Sequence, residues 1–196
     1  MSTFAAVLDA CVLYPASLRD TLLRAALVGL YRPWWSAQIL EETTRNLQEK
    51  RGLSVEQAQR LVAAMTDHFD GASVTGHEIL IPVLTCHEKD RHVLAAAVHA
   101  HAQVIVTFNL KDFPVQSLAP FAIEAQHPDT FTTHLFDLAP DIMLGLLHDQ
   151  ANALRNPPTT FERVLENLQQ HVPVFVGKAR RYWQDNEGSR DEGSPL

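Results

Sequence analysis

No run of about 20 apolar residues occurs in this chain, so a membrane-spanning helix is excluded. The longest apolar stretches, such as Leu22 to Leu30, are broken by Arg24 or Gly29. Cysteine is scarce: the chain has two, Cys11 and Cys86, far apart and outside any CxxC pair. That excludes a disulfide scaffold and a structural zinc site, and leaves two free thiols as the expectation. Basic residues are outnumbered, with 16 Lys and Arg against 23 Asp and Glu and a formal charge of −7. Such a balance excludes a general nucleic-acid coat, which would carry a basic face. Met1-Ser2-Thr3-Phe4 leads straight into a strand-like run without the basic and apolar regions of a secretion signal, so a cytoplasmic location is expected. GxGxxG, P-loop and GxSxG motifs are also missing, which removes the common dinucleotide, NTPase and α/β-hydrolase readings.

What is present is enough for a full core: 196 residues, 46% of them hydrophobic. Phe4 to Leu8 reads as a buried strand ending at Asp9. After Pro15, apolar residues recur at helical spacing from Ser17, a candidate N-cap, to Leu30. Arg32 to Trp35 is a short aromatic strand, with Trp34 and Trp35 expected in the core. Ser36 caps a helix that runs to about Lys50 and stops at Gly52. A further helix starts at Ser54, and Asp70-Gly71 turns the chain into the strand-like Ser73-Val74-Thr75. Asp90 opens another helix, and Gln103 to Thr107 is a last β-branched run of the buried kind.

This alternation predicts an α/β fold, with a central parallel sheet flanked by helices and ligands bound at the carboxyl ends of the strands. Beyond Ala125 the character changes to a C-terminal helical appendage. Its helices are expected at about 129–137, 139–155, 160–171 and 174–184, punctuated by Pro140, Pro157-Pro158 and Pro173. The expected division is therefore 1–125 for the α/β unit, 126–185 for the helical region, and 186–196 as a disordered tail rich in Gly, Ser and charge.

Isolated acids at element ends in apolar surroundings are the pattern a divalent-cation site requires, because Mg²⁺ and Mn²⁺ take hard oxygen ligands from separate elements. Asp9, between Ala5-Ala6-Val7-Leu8 and Ala10-Cys11-Val12-Leu13, is the one charge in a long apolar setting. Buried and ionised, it needs a partner; the plainer reading is a helix-capping Asp. Glu41 and Glu42 are adjacent and so point about 100° apart on their helix, which gives them different roles. Asp90 heads its helix either as an N-cap or as a ligand. In the loop Thr107-Phe108-Asn109-Leu110-Lys111-Asp112-Phe113-Pro114, Asn109 and Asp112 either bond their own backbone or join the acids. Arg45, Lys89, Arg91 and Lys111 flank these segments and are candidates for phosphate contact.

Two other patterns fail. His87-Glu88-Lys89-Asp90-Arg91-His92 is one residue too long for HExxH, so His87, His92, His99 and His101 are expected on the surface or at helix ends. The residue two after Asp9 is Cys11, not the second Asp of a haloacid dehalogenase-type phosphotransferase.

Taken in order, Val7-Leu8-Asp9-Ala10-Cys11-Val12-Leu13, Ser36-Ala37-Gln38-Ile39-Leu40-Glu41-Glu42, Lys89-Asp90-Arg91-His92-Val93-Leu94-Ala95-Ala96-Ala97 and Val104 to Pro114 resemble the PIN-domain family over about residues 4–125. The resemblance implies a ribonuclease dependent on Mg²⁺ or Mn²⁺, commonly the VapC-like toxin of a bacterial toxin–antitoxin pair. It further implies RNA as substrate, a cognate antitoxin as partner, a homodimer, and no membrane association. Asp9, Glu42 and Asp90 match the family's main acids, and Thr107 its strand-end hydroxyl. The chain departs from the common pattern at Asn109, where the family usually has Asp. Either Asp112 supplies the fourth carboxylate, giving metal ligands Asp9, Glu42, Asp90 and Asp112, or Asn109 acts through its amide. A non-catalytic PIN-like binding module and a housekeeping RNA-processing nuclease remain the alternatives.

Overall fold

A computed structural model describes residues 4–154 and 158–191 of the chain. Five parallel strands form one sheet: β1 (Ala5–Leu8), β2 (Arg32–Ser36), β3 (Ser73–Val74), β4 (Val104–Val106) and β5 (Glu124–Gln126), in the order β3-β2-β1-β4-β5. Between them run α1 (Ala10–Leu13), α2 (Ala16–Leu27), α3 (Ala37–Arg51), α4 (Val55–His68), α5 (Arg91–His99) and α6 (Val115–Leu118). The C-terminal helices are α7 (Pro128–Leu138), α8 (Pro140–Ala153), α9 (Phe161–Gln169) and α10 (Pro173–Asp191). Among the described residues no helix is long and apolar enough to cross a membrane.

Strands β1 and β4 are apolar at nearly every position because helices cover the sheet, so no polar face alternates with the buried one. Ala6, Val7, Leu8, Ile105 and Val106 are wholly buried. The chain builds outward from β1 to β2 and β3, then crosses to β4 and β5 on the other side. That reversal leaves a crevice beyond the carboxyl ends of β1 and β4, the usual ligand position in an open α/β sheet. Leu8 pairs with Val106 across this switch point. The next residues, Asp9 and Thr107, therefore emerge side by side.

The core continues into the C-terminal helices without a break, through Phe131, Leu135, Met143, Leu147, Leu165 and Phe175. Phe4, Tyr31 and Phe131 form an aromatic trio with centroid distances of 5.0 to 6.1 Å, pinning α7 against the start of β1. Trp35 is fully buried, edge-on to Phe69, and Trp34 is partly buried under Arg32.

Several expectations shift. Pro15, not Ser17, stands at the start of α2, its φ of −71° already suited to a helix entrance, and Ser17 lies inside the first turn. The same helix stops at Leu27, before Gly29 at φ +80°. The short helix α1 and the polar strand β5 carry no periodic pattern long enough to announce them. Helix α8 ends at Ala153, and Arg155 to Pro157 lie outside the described residues. Helix α10 runs to Asp191 where a tail was expected from residue 186, since nothing between Gln184 and Asp191 forbids a helix and Pro195 comes later. Residues 192–196 of that expected tail lie outside the described residues.

Candidate metal centre

Asp9 and Asp90 both occupy N-cap positions, so the plainer reading of each is directly testable against geometry. Asp9 makes no cap bond: no backbone N–H in the first turn of α1 donates to its side chain. Its Oδ2 instead accepts the Thr107 hydroxyl at 2.6 Å and the Cys11 thiol at 3.0 Å. Asp90, ahead of α5, likewise makes no side-chain cap bond. Neither carboxylate caps its helix.

Asp9 is 4% exposed, and its described hydrogen bonds come from neutral donors only. Thr107 sets the geometry from the neighbouring strand, because its oxygen also accepts the Asn109 backbone N–H at 3.0 Å. With that acceptor position filled, the hydroxyl proton is directed at Asp9. Cys11 is fixed in turn by the Phe108 N–H at 3.2 Å. Burial, and then the charge of Asp9, push the Cys11 thiol well above the ordinary cysteine range. It stays a neutral donor.

Asp90 is turned toward two other groups. His87, Asp90 and Asp112 each offer one ligand atom, and these lie within 4.8 Å of one another. The loop holding His87 is tied to the β4 exit by the His87 N–H, which donates to the Asp112 carbonyl at 3.0 Å. The His87 Nδ1 stands 3.5 Å from Asp90 Oδ2. Burial raises the Asp90 carboxyl above the ordinary value, and the charges of Asp9 and Asp112 raise it further against the smaller opposing effects of His87 and His92. Three acids thus crowd one another. Among the described ion pairs, none sets a Lys or Arg against Asp9, Glu42, Asp90 or Asp112.

Glu42 is on the second turn of α3, whose start is set by Ser36 Oγ accepting the Ile39 N–H at 3.3 Å. Its Oε1 stands 3.3 Å from Nε2 of His92, a histidine only 3% exposed. Burial alone would raise Glu42, but the His92 contact, Gln38 and Arg45 outweigh it and hold the carboxyl below its ordinary value. Glu41 is exposed, as its different direction requires.

Of the residues singled out by sequence, Asp9 and Thr107 meet directly, and Asp90 meets Asp112. Asp9 reaches Asp90 through its charge rather than by contact, and Glu42 faces His92 rather than joining the group around Asp90. At the β4 exit it is the Asp112 side chain that enters the cluster; Asn109 is exposed and contributes its backbone. Three participants were not singled out. Cys11 is a free thiol as expected, His87 is exposed and His92 lies at a helix start, in keeping with surface or helix-end histidines; what was not expected is that they contact Asp9, Asp90 and Glu42. Their one signal is proximity in sequence to Asp9 and Asp90.

The donor set fits a hard divalent cation: carboxylate oxygens from separate elements, with no described Lys or Arg ion pair, beside one imidazole. The cluster sits on open strand ends. A hollow of about 540 Å³ lined by Tyr31, Arg32, Phe69 and Asp70 contains none of these acids.

Comparison with known proteins agrees with the α/β fold and its C-terminal helical region. Residues 5–111 match the family model described as PIN domain, and residues 128–181 match one described as VapC50 C-terminal domain. A Mycobacterium tuberculosis protein described as "Putative ribonuclease VapC50" is 44% identical over 106 residues, 54% of this chain and 63% of that protein. The match therefore spans less than two thirds of the relative's length. No solved structure matches the chain significantly.

Proposed function

Because the chain belongs to the PIN-domain family, we propose that it is a Mg²⁺- or Mn²⁺-dependent ribonuclease, the toxin of a type II toxin–antitoxin pair. The observation that carries this reading is the closeness of Asp90 to Asp112, with the charge of Asp9 also acting on Asp90 and no Lys or Arg ion pair described at any of the three. Carboxylates so placed repel, and the arrangement makes chemical sense as a cation site.

On this reading Asp9, Asp90 and Asp112 hold the ion, with His87 as an additional ligand and Glu42 at the rim. A bound Mg²⁺ or Mn²⁺ would neutralise charge on the scissile phosphate and make an attacking water more acidic. The protein's own groups do the positioning. Thr107 and Cys11 donate to Oδ2 of Asp9, which fixes the carboxylate's orientation. His92 holds Glu42 ionised and aimed from α3. Imidazole is a softer donor than carboxylate, so participation of His87 favours Mn²⁺ over Mg²⁺.

The wider proposal treats residues 1–125 as the nuclease unit and 126–185 as a helical region packed on it. The protein works in the cytoplasm as a homodimer under a cognate antitoxin, away from membranes. The relative's description as a ribonuclease supports the activity. Purified protein incubated with RNA and Mn²⁺ should cleave it, while EDTA or Asp9→Ala should abolish cleavage. Equal activity in all three samples would remove the metal mechanism. Intact RNA in every sample, metal included, would favour a PIN-like binding module.

A further inference from the structure

The chain is acidic overall, yet a set of cations gathers around the end of α1, the helix that begins after Asp9. Lys50, near the end of α3, places its ammonium 4.7 Å from the ring centroid of Tyr14. Arg19 is anchored by donating from Nη1 to the carbonyls of Leu13 at 2.8 Å and Tyr14 at 3.3 Å. Its other guanidinium donors have no hydrogen-bond partner among the described residues. Arg19 feels the charge of Asp20, itself paired with Arg24 at 2.9 Å, and then that of Arg51, which also acts on His171. Among the described ion pairs, none gives Arg19, Lys50 or Arg51 an acidic partner. Like charges gathered in this way call for an anion.

Aromatic faces accompany them. The Phe108 ring stands 5.9 Å from that of His171, which follows α9, and 5.2 Å from that of His127. Phe108 is also the residue whose N–H fixes Cys11, so this end of the surface touches the cluster around Asp9. Tyr14 closes α1, whose first turn starts from Asp9. Lys50 lies eight residues beyond Glu42 on α3, about 12 Å along the helix. Cations alternating with ring faces, next to a phosphodiester-cleaving centre, are the features that hold a single strand by its phosphates and bases.

We propose that Tyr14, Arg19, Lys50, Arg51, Phe108 and His171 form a binding track for single-stranded RNA leading to the acid cluster. His171 gives the C-terminal helical region a direct part in holding substrate. The inference rests on the ribonuclease reading for its substrate class, and can be separated from it by measuring binding without cleavage. It also moves the expected phosphate contacts from the acid-flanking Arg45, Lys89, Arg91 and Lys111 to a surface built from α1–α3, the β4 exit and the α9–α10 junction.

The test is fluorescence anisotropy of a short labelled single-stranded RNA of mixed sequence with the full chain in EDTA. Parallel cleavage assays use Mn²⁺. Lys50→Ala and Arg51→Ala should each weaken binding several-fold and reduce the log–log salt slope by about 0.7, the value for one lost phosphate contact on a single strand. His171→Ala should weaken binding about fivefold or more, the loss of one stacked base, with little change in slope. In cleavage, Arg51→Ala should raise KM more than it lowers kcat. Arg163→Ala, whose cation is paired with Glu166 on α9, is the control and should leave binding unchanged. Variants are compared only after their thermal melts match the wild type, and Lys50→Gln serves where the alanine does not fold.

Wild-type affinity and salt slope in Arg51→Ala and His171→Ala overturn the track, even if cleavage is normal. Failure of the wild type to bind the probe overturns it as well. Binding lost as expected, from a protein that cleaves no RNA with Mn²⁺, keeps the track and overturns the nuclease reading.

Discussion

Replacing Asp90 with asparagine should stabilise the metal-free protein while removing its activity. Asp90 lies no more than 4.8 Å from Asp112 through their nearest ligand atoms, which corresponds to roughly 1–3 kcal/mol of repulsion between aqueous and protein-edge dielectrics. The asparagine side chain is isosteric and uncharged, so in EDTA at neutral pH the Tm should rise by several °C, at about 2–4 °C per kcal/mol for a chain of this size. The pH dependence gives the sharper reading. The Asp90 carboxyl is raised in the folded state, first by burial and then by Asp9 and Asp112, so the folded protein binds this proton more readily than the unfolded chain. Its ionisation penalty is present above the folded pKa and disappears as pH falls through it toward the ordinary carboxyl value. The advantage of Asp90→Asn should shrink over that interval, because a protonated Asp90 already carries no charge. Adding Mn²⁺ should reverse the order: saturation to about 100 times Kd stabilises the wild type by about 2.7 kcal/mol, and the variant by far less. The reasoning is refuted if Asp90→Asn is less stable than wild type in EDTA at neutral pH, or if the difference between them does not change with pH.

Thr107→Val should keep the fold but lower kcat at least tenfold, since it removes the donor that orients Asp9 and the acceptor for the Asn109 N–H; Thr107→Ser should restore it. Asp129→Ala should lower stability by about 1–2 kcal/mol in a chemical denaturation curve, without changing Mn²⁺ affinity. Asp129 accepts the Val174 and Phe175 N–H groups at 3.1 and 2.9 Å and so caps α10 from a distance in sequence. Phe131→Ala should cost about 3–5 kcal/mol, because the ring fills the trio with Phe4 and Tyr31 that joins α7 to the sheet. His87→Ala should narrow any preference for Mn²⁺ over Mg²⁺ in cleavage, leaving an all-oxygen donor set.

The parts of the site legible in sequence are those where chemistry conflicts with its local surroundings. Asp9 stands out because an ionised group follows a wholly apolar strand, and Thr107 because it ends the matching strand. Their side-by-side placement follows from parallel pairing of two buried runs, a consequence of the βα alternation. His92 looked like a helix-end residue for lack of any such conflict: its neighbours Arg91 and Asp90 are polar, and only the packing of α5 buries it against Glu42. His87 and Asp112 meet because two 3-10 turns, one at Glu88–Asp90 and one at Leu110–Asp112, bring remote loops together. Strand β5 lacks the apolar run that makes β1 legible. Glu124-Ala125-Gln126 is polar and short, and it is a strand only because β4 offers it a free edge. The cationic track has contributors from α2, α3 and the turn after α9, so no sequence window contains it.

The placement of the C-terminal helices bears on how an acid cluster can persist. Crowded carboxylates oppose the fold, and a site that must hold its groups within a fraction of an ångström cannot relax to ease the repulsion. Rigidity has to come from packing behind the strands. Gln150 of α8 is 2% exposed, accepts from the Thr21 hydroxyl at 2.8 Å and donates to the Ser17 carbonyl at 3.0 Å, gripping the first turns of α2. Arg19, on those turns, holds the end of α1, and α1 begins at Asp9. The aromatic trio fixes the other end of β1 to α7. Asp9 is thus braced at both ends of its strand by helices more than a hundred residues later in the chain. Loss of those helices would remove the support that keeps mutually repelling acids in register, as well as His171 from the RNA track.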